Sequence, residues 1–252
     1  MKNKLELAFV LAIKNVKIRY KNSLLGYFWS LLTPLIYLGI FVTIFKSRFP
    51  EIENYPLYAL TGLIFWNFFN TTSNQILTSI ISSAGVLKSI NVPTLIFPIS
   101  ALVSSVINLA LSLIPFFVLM LFFGFRPSLE SIQIIYILVM FCMFTLGFGL
   151  ILSALNVYFR DVGLLWTTII PALFYFTPIV YMIELLPERM QLVMQFNPIH
   201  QFLSAFRMAL YTPDMAWMSL GSYGTITALG FGFLYIGYSV FHKLEKGFYS
   251  HY

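Results

Sequence analysis

Charge is excluded from most of the length of this chain. No Asp, Glu, Lys or Arg occurs in Gly26–Phe45, Pro56–Leu87, Ser89–Phe125, Ser131–Phe159, Val162–Ile183 or Met215–Phe241. An apolar run of about 18 or more residues can cross a ~30 Å hydrocarbon layer as a helix, which satisfies its own backbone there. Six such runs in 252 residues leave room only for short connections. That excludes a soluble domain of useful size, and with it most enzymes. Hydrophobic residues make up 59% and charged residues 10%, against about 45–50% and 25% in soluble domains. The expected fold is an all-α polytopic membrane protein, one domain over 1–252, with crossings at 26–46, 56–79, 95–123, 131–155, 163–183 and 221–241.

The net charge of +6 suggests nucleic acid until its placement is followed along the chain. With six crossings and Met1 inside, one side carries Lys2, Lys4, Lys14, Lys17, Arg19, Lys21, Lys88, Arg160, Lys243 and Lys246 against Glu6, Asp161 and Glu245. The other carries Lys46, Arg48, Arg126, Arg189 and Arg207 against Glu51, Glu53, Glu130, Glu184, Glu188 and Asp214. This is the positive-inside bias, and it predicts both termini in the cytoplasm. The basic excess encodes topology.

Three segments depart from plain crossings. Residues 1–22 read as an amphipathic helix in the headgroup layer, with Leu5, Phe9, Ala12 and Val16 on an apolar stripe beside a lysine-rich arc. Residues 80–94 contain several serines with Gly85, Lys88, Asn91 and Pro93, and read as a short cytoplasmic helix or turn. Residues 184–214 hold Pro187, Pro198 and Pro213 between apolar pairs. Asn197 precedes proline and is pushed out of helical geometry, so two short helices dipping into the outer leaflet are expected, with a plain surface loop as the alternative. Pro34 is expected to kink the first crossing.

Chemistry-bearing motifs are scarce. No glycine-rich loop ends in Gly-Lys, so ATP cannot be held in that way. His200, His242 and His251 have no metal-ligand spacing, and the single Cys142 sits mid-run as packing. No charged residue lies deep in a proposed crossing, where proton and ion pathways usually need one. A transporter lacking its own driving reaction must take its energy from a separate subunit at the cytoplasmic face. Ser82–Asn91 and the Arg160–Asp161 turn are the natural contact points; holding a helix end is the alternative role for that turn. Aromatic residues reach 18%. Of these, Phe28, Trp29, Tyr37, Trp66, Phe174 and Tyr175 are candidates to line a path, since flat rings stack on sugar faces; helix packing is the alternative for any single ring. Gly147, Gly149, Gly230 and Gly232 suit close helix approach.

Several stretches resemble the permease subunits of ATP-driven polysaccharide exporters: IKNVKIRYKNSLLGYFWSLLTPLIY (Ile13–Tyr37), VLKSINVPTLIFPIS (Val86–Ser100), NVYFRDV (Asn156–Val162), FYFTPIVY (Phe174–Tyr181) and FNPIH (Phe196–His200). They fall in the family's order and cover nearly the whole chain. The resemblance implies a homodimer of six-helix subunits in the bacterial inner membrane, joined to two copies of a separate nucleotide-binding ATPase. No cofactor is implied on this chain; ATP and Mg belong to the partner. The N-terminal interface helix (Lys14, Arg19, Tyr20), the segment with Ser82, Gly85, Lys88 and Asn91, and Arg160–Asp161 are implied to couple to that partner. A channel at the dimer interface, lined by the first and fifth helices, is implied to pass a lipid-linked glycan such as O-antigen, teichoic acid or capsule. Residues 185–212 are implied to form short re-entrant helices near an outer gate, with Pro187, Asn197 and Pro198 as its residues. FNPIH fits the family's pattern only loosely, so no role for His200 follows. Rival readings are a permease for a small amphiphilic drug, an ion-coupled carrier working alone, and a non-transporting membrane scaffold.

Overall fold

The computed structural model describes residues 2–21, 26, 28–47, 49, 52, 54–89, 92–125, 129–211 and 217–248. Asn91 and the side chains of Arg19 and Tyr20 lie outside what is described. The described residues are helical throughout: α1 (Lys2–Tyr20), α2 (Phe28–Phe45), α3 (Tyr55–Ser82), α4 (Ala84–Ser89), α5 (Ile96–Phe122), a 3-10 turn (Leu129–Ile132) running into α6 (Gln133–Tyr158), α7 (Asp161–Phe176), a second 3-10 turn (Ile183–Leu185), α8 (Glu188–Gln195), α9 (Pro198–Tyr211) and α10 (Leu220–Glu245). α5, Leu129–Tyr158 and α10 are each long and apolar enough to cross a membrane; Leu32–Phe45 and α7 are shorter apolar helices. The chain is thus an all-α protein with several membrane-length apolar helices.

α3 occupies the centre. At 28 residues it is among the longest helices, and it is buried along nearly its whole length. It packs on α5, α6, α2, α7 and α9. Its apolar half carries the aromatic core: Phe65 stacks on Phe141 at 5.1 Å between ring centroids and tilts against Phe206 at 4.4 Å, while Phe69 meets Phe144 and Trp166, each at 6.0 Å. Most of the aromatic excess is therefore ordinary core, where ring pairs add about 0.5–1.5 kcal/mol beyond area burial.

α6 and α10 make the closest pair. A Cβ on Gly147 would sit 2.2 Å from the Phe233 carbonyl oxygen, and one on Gly237 would sit 2.0 Å from that of Gly147. Gly230 faces the Met140 carbonyl oxygen at 3.0 Å, and Gly149 faces the Ile76 side chain on α3. Gly232 has nothing within 4 Å and takes no part. Small residues allow backbones to approach closely where lipid supplies no hydrophobic drive. Tyr158 on α6 also donates to the Leu244 carbonyl at 2.8 Å, and Thr94 donates to the Glu245 carboxylate, so the end of α10 is tied to α6 and to the approach to α5.

Two departures from expectation have local causes. α7 ends at Phe176, short of the expected residue 183, because Pro178 pushes Thr177 to extended geometry (ψ 133°). On α1, the buried stripe is Ala8, Ala12 and Val16, at i, i+4 and i+8, lying against α5; Phe9 is 55% exposed and stands outside it. Only small side chains fit where α1 approaches its neighbour.

Candidate functional site

Four of the six candidate path residues converge. Tyr37 on α2, Trp66 on α3, and Phe174 and Tyr175 on α7 line one cavity of about 390 Å³, together with Thr33, Pro34, Asn67 and Asn70. Trp66 meets Phe174 edge-on at 5.5 Å, and Phe174 meets Tyr175 at right angles at 5.3 Å. Pro34 lies at this level inside α2, which runs as one helix from Phe28 to Phe45. Phe28 and Trp29 do not join the group: they are exposed at the start of α2, before Thr33, where the cavity begins.

Asn70 also lines a second cleft, of about 680 Å³, with Thr71, Asn74, Thr78, Asn156, Arg160 and Thr167. Cavity and cleft therefore meet on one face of α3, where Asn67, Asn70, Thr71, Asn74 and Thr78 follow at helical spacing. Part of this polar lane is bonded within its own helix. Asn74 Nδ2 donates to the Asn70 backbone and side-chain oxygens, both at 2.8 Å, Thr78 donates to the Asn74 carbonyl at 3.1 Å, and Thr71 donates to Asn67 Oδ1 at 3.4 Å. Hydroxyls and amides bonded back along their own helix can lie at membrane depth without a partner helix. The lane escaped the sequence reading, although polar residues at three- and four-residue spacing inside an uncharged run were its signal.

Where the termini meet the bundle, Asn156 joins three helices. Its Nδ2 donates to the Leu77 carbonyl on α3 at 3.2 Å, and its Oδ1 accepts from Gly163 N at the start of α7 at 3.1 Å. Arg160 and Asp161 are exposed beside it. Asp161 opens α7, where a carboxylate complements the positive end of the helix dipole, and Arg160 stands at the mouth of the polar cleft. Lys14 and Ser82 come together at another cleft, of about 580 Å³, between α1, α3, α4 and α5. Gly85 and Lys88 are exposed on α4 and line neither cleft.

At the opposite end, the three gate candidates belong to helix starts. Pro187 precedes α8, and its carbonyl accepts from Met190 N at 2.8 Å. Asn197 caps α9, its Oδ1 accepting from Ile199 N at 3.0 Å, while its Nδ2 donates to Thr177 Oγ1 at 3.0 Å. Pro198 takes the first position of α9, where its missing N–H costs nothing. His200 is half-buried beside Ser204. Burial, and then the neighbouring Arg207 charge, bring its ring down to about 4, with Glu184 partly opposing. It stays neutral at ordinary pH. Arg207, counted among the outer-side charges from the sequence, lies on α9 and is only 7% exposed.

Among the described residues there is no cluster of three or more His, Cys, Asp or Glu able to hold a metal ion. The arrangement holds a polar and aromatic lane and no reactive constellation. Comparison with known proteins agrees in kind. The O-antigen export system permease protein RfbA of Klebsiella pneumoniae is 32% identical over 249 residues, covering 96% of this chain and 93% of that protein. The RfbA protein of Myxococcus xanthus is 26% identical over 201 residues, covering 79% of this chain and 77% of that protein. The polysialic acid transport protein KpsM of Escherichia coli is 23% identical over 194 residues, covering 75% of each. The profile of the ABC-2 type transporter family matches residues 6–211, and with membrane-length helices around a polar lane the chain belongs to that family, as a multi-pass membrane permease.

Proposed function

We propose that this chain is the channel-forming subunit of an ATP-driven exporter of a lipid-linked, O-antigen-like polysaccharide in a bacterial inner membrane. It works as a homodimer with both termini cytoplasmic and six crossings per subunit: α2, α3, α5, α6, α7 and α10. α8 and α9 form the re-entrant outer segment. The energy comes from two copies of a separate ATPase, which holds ATP and Mg and docks on α1, α4 and the Arg160–Asp161 turn. Lys14, Arg19, Tyr20, Ser82, Gly85, Lys88 and Asn91 belong to that docking surface.

One observation carries this reading: the continuity of the aromatic cavity with the amide lane through the shared Asn70. Ring faces accept a sugar of any sequence, as stacking platforms accept any base. Side-chain amides and hydroxyls exchange hydrogen bonds with sugar hydroxyls. α2 and α7 present much of their apolar surface outward, including Ile36, Ile40, Ile44, Leu164, Leu165 and Ile169, as a subunit interface beside the lane requires. The names of the relatives, O-antigen and polysialic acid exporters, point to the same substrate class.

A second reading, export of a small amphiphile, is favoured by a different feature. A cavity of about 350 Å³ is lined almost wholly by apolar groups, among them Phe69, Phe148, Phe176 and Phe196. Reconstitution with the cognate ATPase separates the two. Replacing Asn70 and Asn74 together by Leu should lower export of a lipid-linked glycan at least about tenfold, the worth of one or two hydrogen bonds, with no loss of folded protein. Glycan export at the parental rate by the double variant would show that the polymer travels elsewhere. Transport of an amphiphile but no glycan would select the second reading.

A further inference from the structure

The non-helical stretch Thr177–Met182 joins α7 to the turn before α8, and its backbone carbonyls have lost their helical partners. At membrane depth such groups must be bonded within the protein. They are, by one side chain above all. The buried Arg207 guanidinium on α9 donates through Nη1 to the Pro178 carbonyl at 3.1 Å and through Nη2 to the Ile179 carbonyl at 2.6 Å. The same group reaches α3: Nη2 donates to the Tyr58 carbonyl at 2.8 Å, Nε donates to Thr61 Oγ1 at 3.3 Å, and the guanidinium carbon lies 3.4 Å above the centre of the Tyr58 ring. Among the described residues no carboxylate pairs with it. The arginine is caged by acceptors and a ring face, and its planar fork of donors fits that use where an ammonium does not.

A second, independent feature marks the same spot. A Cβ on Gly62 would fall 2.2 Å from the Ile179 carbonyl oxygen and 2.9 Å from Arg207 Nη2. Glycine is what lets α3 meet the segment closely enough for the fork to span both. The Tyr58 hydroxyl adds a bond to the Tyr181 carbonyl at 2.8 Å.

We infer that Arg207 is a positioning residue: it pins the far end of α7 to α3 and α9, and so sets the width of the aromatic mouth formed by Phe174 and Tyr175. The consequence for export rests on the path proposed above; the clamp itself does not. α7 buries only Trp166 and Ile170, both in its first ten residues; beyond them its far end has the partly buried Leu173 and Phe174, the Phe174 ring contacts with Phe41 and Trp66, and the Asn197 bond to Thr177. The guanidinium adds the bonds that tie the backbone just past that end to both α3 and α9. With the clamp released, that end should move more than the Trp166 end.

The test uses the assembled transporter with Cys142 changed to Ser and spin labels on Ala172→Cys in α7 and Gly232→Cys in α10. Labelled chains are diluted with unlabelled ones so that the distance is read within one subunit. Arg207→Met should broaden the distance distribution at least twofold and lower glycan export by a similar or larger factor. Arg207→Lys, with one compact ammonium, should fall between. A folded Arg207→Met protein with the parental distribution would overturn the clamp. If that variant fails to insert, Arg207→Lys carries the test: it keeps the charge but cannot bridge Pro178, Ile179, Tyr58 and Thr61 together, and an unchanged width there counts against the clamp equally. A broadened distribution with export at the parental rate would leave the clamp standing and break the path reading.

Discussion

The pair α6–α10 and the pair α2–α7 are built from similarly apolar sequence and pack in opposite ways. Along α6 and α10, glycines bring backbones within contact distance, and hydrogen bonds from Tyr158 and Thr94 hold the end of α10. On α7, by contrast, only Trp166 and Ile170 are buried, and long apolar side chains such as Leu164, at 69% exposed, face outward. Hydropathy does not distinguish the two pairs. Glycine placement does: it sets α6 and α10 backbone to backbone within the subunit, whereas α7 has no such glycine contact with a neighbouring helix backbone and turns large side chains outward, on the face that the proposed homodimer would use. In the proposed transporter one pair is scaffold and the other is wall.

The contrast is most sharply tested at Gly147. Gly147→Val sets a branched side chain against the Phe233 backbone, which cannot retract like a flexible side chain, so loss of folded protein in detergent is expected. Recovery of a variant with the parental melting temperature would mean that α6 and α10 are not the rigid pair. Next is Trp166→Ala, which removes the main anchor of α7: its indole N–H donates to Ser73 Oγ at 3.2 Å, and its ring packs on Phe69 and Phe148. Loss of about 3 kcal/mol is expected, readable in thermal unfolding, with export falling further than stability alone dictates. Arg160→Ala touches only an exposed side chain at the cleft mouth. It should leave insertion intact while uncoupling ATP hydrolysis from transport several-fold, and unchanged export in the folded variant ends the coupling role. The smallest effect belongs to Gly232→Ala. With open space at its Cβ position, it should shift stability by no more than about 1 kcal/mol, towards stabilisation, because alanine suits a helix better.

How much of this could be read from the residues differs by region, for physical reasons. Excluded charge outlined the long helices because a hydrocarbon layer penalises charge, most steeply towards its centre. Tyr37, Trp66, Phe174 and Tyr175 were readable as a group because their separate helices meet on one side of α3. Phe28 and Trp29 were drawn in by type alone, and type does not report that α2 begins beyond the cavity. Pro178 announced the early end of α7, but its effect was outweighed by the uncharged run continuing past it. Arg207 was unreadable in kind. Counted only as one outer-side charge in a segment of short helices, it carried no sign of burial, and only the fold reveals that four acceptors surround it. The amide lane was legible and overlooked: its polar residues keep α3 out of the set of helices apolar enough to cross a membrane, but they add no charge to the run from which the crossing was read.

On the path proposed above, the lane's internal bonding bears on how fast cargo would move. A sugar leaving Asn74 would return that amide to Asn70, its own neighbour one turn back, so that donor is not stranded between one grip and the next. Each step along α3 would then exchange similar bonds on a nearly level surface. A track of this kind would have low friction and little memory of which monomer it last held, and strokes delivered by an attached engine would become net displacement instead of being spent on escape from a trap.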